Sequence, residues 1–347
     1  MKIVHILWSL GTGGIETMAV DIVNEQSKTE DVSVIIINDD IDDTVFAHIS
    51  DRVNVFLIGR KPGSVGFQSF IKLNYKLIVI RPDIIHCHYG TIGKILLPCF
   101  KKVLTVHDVM CDTRYFKYFK SLYCISKAVQ RYVANSGYPN AIVVYNGIHT
   151  EQIVVRQDIQ GKKDTYSFIS VGRLNKEKGH YLIIEAFNEL VNHRKTANIR
   201  IDLIGDGTER KQLEKLTHEY GLEKHIRFLG RQPRSYFYPR LCDYDLFILA
   251  STSEGFGLTL AEATSAKVTV LTSNLPGPME VLSGGQLGLS FESGSFMNMA
   301  DKIESFCVNG ANQDVLDRAW LYTSSHFDIK TTAKRYIDEY KQSIIKK

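Results

Sequence analysis

The feature that most restricts the fold of this chain is a repeated alternation of short apolar runs with longer polar or amphipathic segments. Each run is rich in Val, Ile and Leu, and each is followed by enough residues for a helix. Parallel strands require such crossovers, so the pattern predicts βαβ units. Two series of strands are predicted: residues 2–7, 32–37, 53–57, 84–88, 102–106, 122–125 and 141–145, then residues 167–171, 200–204, 226–229, 246–249, 268–271 and 287–291.

The two series predict two domains. A chain of 347 residues is too long for one ordinary core, and residues 152–164 have the polar, aperiodic composition of a linker. We therefore expect an N-terminal Rossmann-like domain of residues 1–160 and a C-terminal one of residues 161–328. Residues 329–347 carry helical periodicity and are expected to form a C-terminal helix that is free to pack back onto the first domain.

The composition favours a cytoplasmic globular protein. Apolar residues make up 44% of the chain and charged residues 23%, which argues against disorder. No run of 18 apolar residues occurs, and the apolar run after Met1 is too short for a signal peptide. The six cysteines include no CxxC pair, which is typical of free thiols in a reducing compartment.

Residues 60–132 form a strongly basic block. They hold 13 Lys and Arg against three Asp, a net charge of +10. The block either meets an anionic membrane surface or a phosphorylated acceptor, or it is a solvated face without a partner. Tyr115, Phe116, Tyr118 and Phe119 alternate with lysines as in an interfacial segment, although an acceptor groove or ordinary packing gives the same pattern. Nucleic acid is disfavoured as a partner because no reader motif is present.

Polar residues and glycines follow several predicted strands of the first domain. The first strand leads into a glycine-rich turn, residues 11–16, whose backbone N–H groups either approach an anion or serve packing alone. His107 and Asp108 follow another strand at the edge where α/β sheets bind ligands. His86 and His88 share one face of a strand, but no third ligand accompanies them in the sequence, so we predict no metal site.

The second domain carries charged residues after its strands. Arg173 and Lys178 lie five residues apart beside a helix start, which suits a diphosphate or else a solvated basic loop. Gly205 lies in a turn at the end of another strand, and this turn either lines a nucleotide or serves tight turning alone. Glu254 and Glu262 are separated by eight residues, and carboxylates accept hydrogen bonds from sugar and ribose hydroxyls. Glu262 alone reads equally well as an exposed helix residue.

These motifs together resemble the retaining glycosyltransferases with the GT-B fold that are often numbered family four, or glycosyl transferases group 1. The segments occur in the family's order: GTGGIE, TVHD, SKA, YNGI, VGRLNKEKG, LIGDG and EGFGLTLAE. The likeness runs along nearly the whole chain. It implies an α/β protein with two Rossmann-like, doubly wound parallel-sheet domains that face each other across a cleft.

The resemblance also implies roles for particular residues. Arg173 and Lys178 would bind the donor diphosphate, Glu262 the ribose hydroxyls and Glu254 the transferred sugar, with His107 close to that sugar. It implies metal-independent transfer without a cofactor and with retention of configuration. The implied catalytic residues are Arg173, Lys178, Glu254 and His107, and the implied donor-binding residues are Gly13, Gly14, Arg173, Lys178, Gly205, Glu254, Gly255, Phe256, Gly257, Leu258 and Glu262.

The resemblance therefore implies transfer of a hexose or N-acetylhexosamine from a nucleotide sugar, UDP-sugar first and GDP-sugar next. The acceptor would be a glycan or lipid-linked molecule in O-antigen, capsule or lipopolysaccharide synthesis on the inner face of a membrane. Two positions depart from the pattern: His149, where an acidic residue is expected, and residues 273–280, which contain two prolines. A nucleotide-sugar-binding regulator without catalysis, and an epimerase or hydrolase of the same fold, remain as alternatives.

Overall fold

The computed structural model describes residues 1–64, 66–157, 163–196 and 198–345. Within them the chain alternates strands and helices as the sequence predicts. The strands are β1 Lys2–Leu7, β2 Asp31–Asn38, β3 Asn54–Arg60, β4 Ile84–Cys87, β5 Lys102–Val106, β6 Ser121–Cys124, β7 Ile142–Val143, β8 Tyr166–Val171, β9 Ile199–Ile204, β10 Ile226–Gly230, β11 Leu246–Leu249, β12 Thr269–Ser273 and β13 Leu289–Phe291.

The helices lie between these strands and at the end of the chain. They are α1 Gly14–Gln26, α2 Asp43–Phe46, α3 Gln68–Ile80, α4 Lys127–Asn135, α5 His180–Asn188, α6 Arg210–Glu219, α7 Arg234–Phe237, α8 Leu258–Ser265, α9 Pro276–Val281, α10 Phe296–Asn309, α11 Gln313–His326 and α12 Ile329–Ile345. No helix of the described residues is long and apolar enough to cross a membrane.

The chain forms two compact units, each built on one parallel sheet. The first comprises Met1–Gly147 with Ile329–Lys347, and its strand order is β3-β2-β1-β4-β5-β6-β7. The second comprises Ile148–Asp328, with the order β10-β9-β8-β11-β12-β13. All the registered strand pairs are parallel. The predicted fold class, two doubly wound α/β domains, is confirmed.

The first unit includes the C-terminal helix α12. Tyr336 and Tyr340 of this helix are fully buried. Lys120 donates to the Ser343 carbonyl at 2.7 Å, and a Cβ on Gly147 would lie 2.6 Å from Cα of Ile329. The helix is therefore part of the first unit's core.

The division between the units lies at Gly147 and Ile148, whereas the sequence analysis placed it near residue 160. The N–H of Ile148 donates to the carbonyl of Phe327 at 2.7 Å, and Arg156 donates to the Cys242 carbonyl at 2.9 Å. Residues 148–157 thus belong to the second unit, although residues 152–157 were expected to form part of a linker. Residues 158–162 of the expected linker lie outside the described residues.

Candidate functional site

The second unit has a topological switch point between β8 and β11, where the strand order reverses. Open α/β sheets bind ligands at the carboxyl ends of the strands that flank such a point. Residues 172–179 follow β8 and residues 250–257 follow β11. The two charged loops that the sequence singled out are therefore neighbours at this edge.

A short ion pair joins the two loops. Lys178 Nζ lies 2.7 Å from Glu254 Oε2, and the N–H of Thr252 donates to the Glu177 carbonyl at 2.8 Å. Arg173 is exposed, and its guanidinium makes no ion pair or hydrogen bond with another described residue. The site thus presents one balanced lysine–glutamate pair beside one unbalanced cation.

Two glycines allow the loop after β8 to lie in direct backbone contact with the loops after β11 and β9. Gly179 has φ +66°, and a Cβ there would lie 2.0 Å from the carbonyl oxygen of Ala250. Gly205 has φ +142°, and its Cβ would lie 1.8 Å from the carbonyl oxygen of Gly172. Both positions combine a conformation that L side chains rarely adopt with no room for a side chain. Gly205 is thus required by the loop packing, whatever else it does.

The loop after β11 ends at the start of α8. Gly257 is the N-cap with φ +102°, and no side chain caps the helix. The first N–H groups of such a helix are available to an anion. The Phe256 ring, in contrast, is buried and packs edge-on against Phe327 at 5.1 Å between centroids. Of the donor-binding residues implied here, Phe256 therefore offers its backbone only.

Glu262 lies on α8 and is only 3% exposed. Its Oε1 accepts a hydrogen bond from the Tyr238 hydroxyl at 2.7 Å and lies 3.7 Å from Nε of Arg234. The interpretation of Glu262 as an exposed helix residue is therefore wrong. Tyr238 and Arg234 were missed because nothing in the short segment around α7 distinguishes a partner for a distant carboxylate.

His180 is a further residue that the sequence analysis missed. It begins α5, is 2% exposed, and neither ring nitrogen has a hydrogen-bond partner among the described residues. Burial, and secondarily the charge of Lys178, lower the pKa of His180 to about 4. The ring is therefore neutral at neutral pH and adds no positive charge beside Lys178.

In the first unit the strand order reverses between β1 and β4. Gly13 is the N-cap of α1, which has no side-chain cap, and a Cβ on Gly14 would meet nothing within 4 Å. Packing therefore does not require a glycine at position 14. Of the two interpretations of this turn, an anion approaching the backbone is the one that the open space favours.

His107 follows β5 and is half-buried, whereas Asp108 is exposed. His107 Nε2 lies 3.3 Å from Nδ1 of His88. Burial lowers the pKa of His107 to about 4, so the ring is neutral at neutral pH. His107 is thus connected to a buried group of histidines behind it.

That group contains the third imidazole that the sequence analysis did not find. His5, His86 and His88 are buried, and each offers a ring nitrogen within 4.8 Å of the others, as metal-binding imidazoles do. His5 lies directly opposite His86 in the register of β1 and β4, although 80 residues separate them in the sequence. All six ring nitrogens already have protein hydrogen-bond partners, namely one another, His107, Gln26, Thr105 and Tyr340.

The aromatic segment of residues 115–119 packs into the first unit. Phe116 is 2% exposed and meets the Tyr138 ring edge-on at 5.4 Å. The Phe119 ring lies so close to Gly93 that a Cβ there would be 2.5 Å from Cζ. Ordinary packing, one of the three interpretations of this segment, therefore accounts for these two rings.

Comparison with known proteins identifies the class. Residues 152–319 match the family model described as glycosyl transferases group 1, and residues 12–152 match that of glycosyltransferase family 4. The two matches adjoin and follow the order of the two units. The chain belongs to this family of GT-B-fold glycosyltransferases.

Its relatives include several bacterial enzymes. It is 27% identical to the lipopolysaccharide core biosynthesis glycosyltransferase LpsD of Rhizobium meliloti over 67% of each chain. It is 26% identical to the O-antigen biosynthesis glycosyltransferase WclY of Escherichia coli over 84% of this chain and 85% of the relative. It is also 26% identical to an N-acetylgalactosaminyltransferase of Campylobacter jejuni that acts on a diphospho-undecaprenol-linked sugar. That match covers 84% of this chain and 86% of the relative.

Solved structures share the fold over the full length. Anabaena HepE in complex with UDP superposes with a TM-score of 0.80 at 19% identity, covering 99% of this chain and 100% of that one. The galactosyltransferase WaaB gives 0.76 at 18% identity, with 99% of both chains covered. At these identities the likeness shows the GT-B fold alone.

Replacing Gly179 by alanine tests the loop packing. Gly179→Ala and Gly221→Ala both place alanine at φ near +65°, but a Cβ on Gly221 meets nothing within 4 Å. We expect each to lose about 1–2 kcal/mol from the backbone conformation, and Gly179→Ala to lose roughly 1–3 kcal/mol more from overlap with Ala250. Urea denaturation measures the difference, and equal losses would contradict this account of the loop.

Proposed function

We propose that the chain transfers a hexose or N-acetylhexosamine from a nucleotide sugar to a glycan or lipid-linked acceptor in the synthesis of lipopolysaccharide or O-antigen. The site at the β8–β11 switch point, with Arg173 and Lys178 on the loop after β8 and Glu254 on the neighbouring loop after β11, is the observation that carries the proposal. The names of LpsD, WclY and the Campylobacter enzyme support the class of pathway and acceptor.

We assign binding of the nucleotide-sugar donor to the second unit. Arg173 and Lys178 bind the diphosphate, and the uncapped start of α8 at Leu258 offers it backbone N–H groups. Glu262, held by the Tyr238 hydroxyl, accepts hydrogen bonds from the ribose, and Glu254 contacts the transferred sugar. A buried carboxylate with a fixed partner is well suited to hold a ribose in one orientation.

UDP is the favoured nucleotide, with GDP next. HepE has been solved in complex with UDP and with UDP-glucose, and it shares the fold of this chain. The Campylobacter relative transfers an N-acetylgalactosaminyl group, which supports an N-acetylhexosamine as well as a hexose.

The proposed reaction retains the configuration at the anomeric carbon. The bond from that carbon to the diphosphate oxygen breaks while an acceptor hydroxyl attacks from the same face, and the departing phosphate oxygen takes the hydroxyl proton. Arg173 and Lys178 offset the charge that remains on the nucleotide diphosphate. Two cations at this place supply the role that a metal ion has in other transferases, so the proposal includes no metal and no cofactor.

The first unit contributes His107 and the turn at Gly13 and Gly14 in this proposal. His107 contacts a sugar hydroxyl, and the turn lets backbone N–H groups approach the phosphates. The open space at Gly14 and the half-buried position of His107 support these roles.

A nucleotide panel tests the donor assignment. We expect UDP or a UDP-sugar to raise the melting temperature selectively, because a ligand at 100 times its Kd adds roughly 2.7 kcal/mol. GDP, ADP and their sugars serve as comparisons. If no nucleotide stabilises the protein, the donor site is wrong. Conversion of a nucleotide sugar in the absence of an acceptor would instead indicate hydrolysis, if free sugar appears, or epimerisation, if an epimer appears.

Charge removal at the leaving group tests the catalytic roles. We expect Arg173→Ala and Lys178→Ala each to lower kcat by at least ~10²-fold, because each is assigned to charge that develops in the transition state. Lys176→Ala is the matched control, since Lys176 is exposed in the turn Lys176–Lys178 and has no assigned role. Steady-state kinetics with saturating donor measure the effect, and an unchanged kcat removes the assignment.

We also propose that the first unit docks on an anionic membrane through α3, within the basic block of residues 60–132. Its outward face, defined here as Phe67, Ile71, Tyr75, Ile78 and Val79, has side chains between 52% and 79% exposed. Leu73 and Leu77 on the opposite side are buried. An apolar face turned to solvent on one helix indicates an interaction surface.

The charges around this face favour lipid over a second copy of the chain. Residues 52–82 contain five basic residues beyond Arg52 and no acidic residue. Lys72 and Lys76 lie beside the face. Lys72 Nζ donates to the Ile58 carbonyl at 2.9 Å, and Lys76 Nζ lies 4.3 Å from the centroid of the Phe56 ring. Anionic headgroups attract such lysines, whereas a second copy would bring like charges together. None of the six cysteines, all of which are described, forms a disulfide, which fits docking from the cytoplasmic side.

Vesicle co-flotation tests the α3 face. The protein should float with vesicles that contain phosphatidylglycerol and not with pure phosphatidylcholine. The triple variant Ile71→Ser, Tyr75→Ser, Ile78→Ser should bind at least about tenfold more weakly, because each apolar side chain that enters the interface contributes on the order of 1 kcal/mol. Val308→Ser with Leu321→Ser, exposed in the second unit, is the control. Equal binding of both variants would exclude this face.

A further inference from the structure

A chain of hydrogen bonds runs through the core of the first unit and ends at His107. Gln26 Oε1 lies 2.8 Å from His5 Nε2, His5 Nδ1 lies 3.1 Å from His88 Nε2, and His88 Nδ1 lies 3.3 Å from His107 Nε2. Gln26, His5 and His88 are buried. Nothing in the proposed function uses these three residues.

Each imidazole in this chain is neutral. Burial lowers the pKa of His5 to about 4 and that of His88 well below its usual value, where neighbouring histidines add to the effect. A neutral imidazole has one N–H donor and one acceptor nitrogen. If one ring's tautomer is fixed, every other ring of the chain must therefore follow in the same direction.

Tyr340 of α12 sets that direction. Its hydroxyl lies 2.5 Å from His86 Nδ1, and a phenol is a better donor to an imidazole nitrogen than an imidazole N–H is to a phenol. Because the Tyr340 hydrogen is used in this way, its oxygen accepts from Gln26 Nε2 at 3.5 Å. The amide oxygen of Gln26 then faces His5, in keeping with the rule that amide orientation follows from the network.

We propose that Gln26, His5 and His88 are positioning residues that hold His107 as the tautomer protonated at Nε2, with Nδ1 as a hydrogen-bond acceptor for a substrate hydroxyl. His5 donates from Nε2 to Gln26, His88 donates from Nε2 to His5, and His107 donates from Nε2 to His88. The hydrogen bond that His107 makes with another described residue uses Nε2 and leaves Nδ1 for a ligand.

This series of hydrogen bonds orients His107 but does not carry a proton away from it. A relay would have to deliver the proton to Gln26, and a neutral amide oxygen does not accept a proton at physiological pH. If the Gln26 amide were rotated so that its nitrogen faced His5, each donor and acceptor in the series would exchange roles. His107 Nδ1 would then be a donor. The orientation of one buried amide therefore decides whether His107 accepts or donates.

The accepting Nδ1 of His107 distinguishes between classes of sugar. An unprotonated Nδ1 accepts from a hydroxyl, and its lone pair repels an ionised carboxylate. A neutral sugar that offers a hydroxyl to His107 is therefore favoured over a uronate with a carboxylate at that position. This selectivity rests on the proposed function, whereas the tautomer itself does not.

The tautomer can be measured directly in the free protein. Long-range ¹H–¹⁵N spectra of protein labelled with ¹⁵N-histidine distinguish protonated from unprotonated ring nitrogens, and His107→Gln assigns the signals. We expect His107 to be protonated at Nε2 only. An Nδ1–H signal that is assigned to His107 in the wild-type protein would overturn the proposal.

The variant Gln26→Met removes the terminal acceptor at nearly constant volume. We expect His107 to become a mixture of both tautomers. The control is Gln130→Met, the same change at a glutamine of α4 whose amide donates to the Ala141 carbonyl at 2.7 Å outside the chain. An unchanged His107 in folded Gln26→Met would refute the role of Gln26. If that variant does not fold, Tyr340→Phe takes its place with the same expected mixture.

Activity separates this inference from the proposed function. If the chain is the proposed transferase, Gln26→Met should lower kcat and leave the melting shift by nucleotide unchanged, because His107 and not the donor diphosphate site is altered. If no donor binds the wild type, the proposed function fails while the spectra still decide the tautomer.

Discussion

The direct contact between backbones at the carboxyl edge of the second sheet is the constraint on which the proposed donor site depends. Gly179 lies against the carbonyl of Ala250 and Gly205 against that of Gly172, at distances that exclude any side chain. The contact brings the loop after β8 next to the loop after β11, so Lys178 reaches Glu254 without a long extension of either chain. Charge placement in this unit is therefore a consequence of backbone packing.

The charges that result are few and unequal. Lys178 is held by Glu254, whereas Arg173 is exposed without a partner among the described residues. The nearby His180 and the histidines of the first unit are neutral because burial lowers their pKa values. In the proposed reaction, Arg173 and Lys178 are the two side chains assigned to offset the charge on the departing diphosphate. A ligand that takes over the bond to Lys178 would also release Glu254 for contact with a sugar.

The sequence predicted all the strands of both sheets, because their apolar runs are short and regularly separated by crossover segments. It could not predict features that depend on residues far apart in the chain. The division at Gly147 follows from the pairing of Ile148 with Phe327, and the histidine group follows from the register of His5 with His86. Burial of Glu262 depends likewise on Tyr238. The family's motifs identified the loops, whereas their long-range partners required the structure; the roles assigned to the site residues stay predictions.

The C-terminal helix shows why such partners matter. Tyr336 and Tyr340 of α12 pack against the ring of His86 in the core of the first unit, with ring centroids 5.0 and 5.7 Å away. Tyr336 bonds to Thr105 at 2.9 Å, and Thr105 in turn bonds to His86 at 2.7 Å. Residues from both ends of the sequence thus surround one buried set of imidazoles. In the proposed network, the C-terminal helix therefore decides which nitrogen of His107 carries the proton, because Tyr340 orients the amide of Gln26.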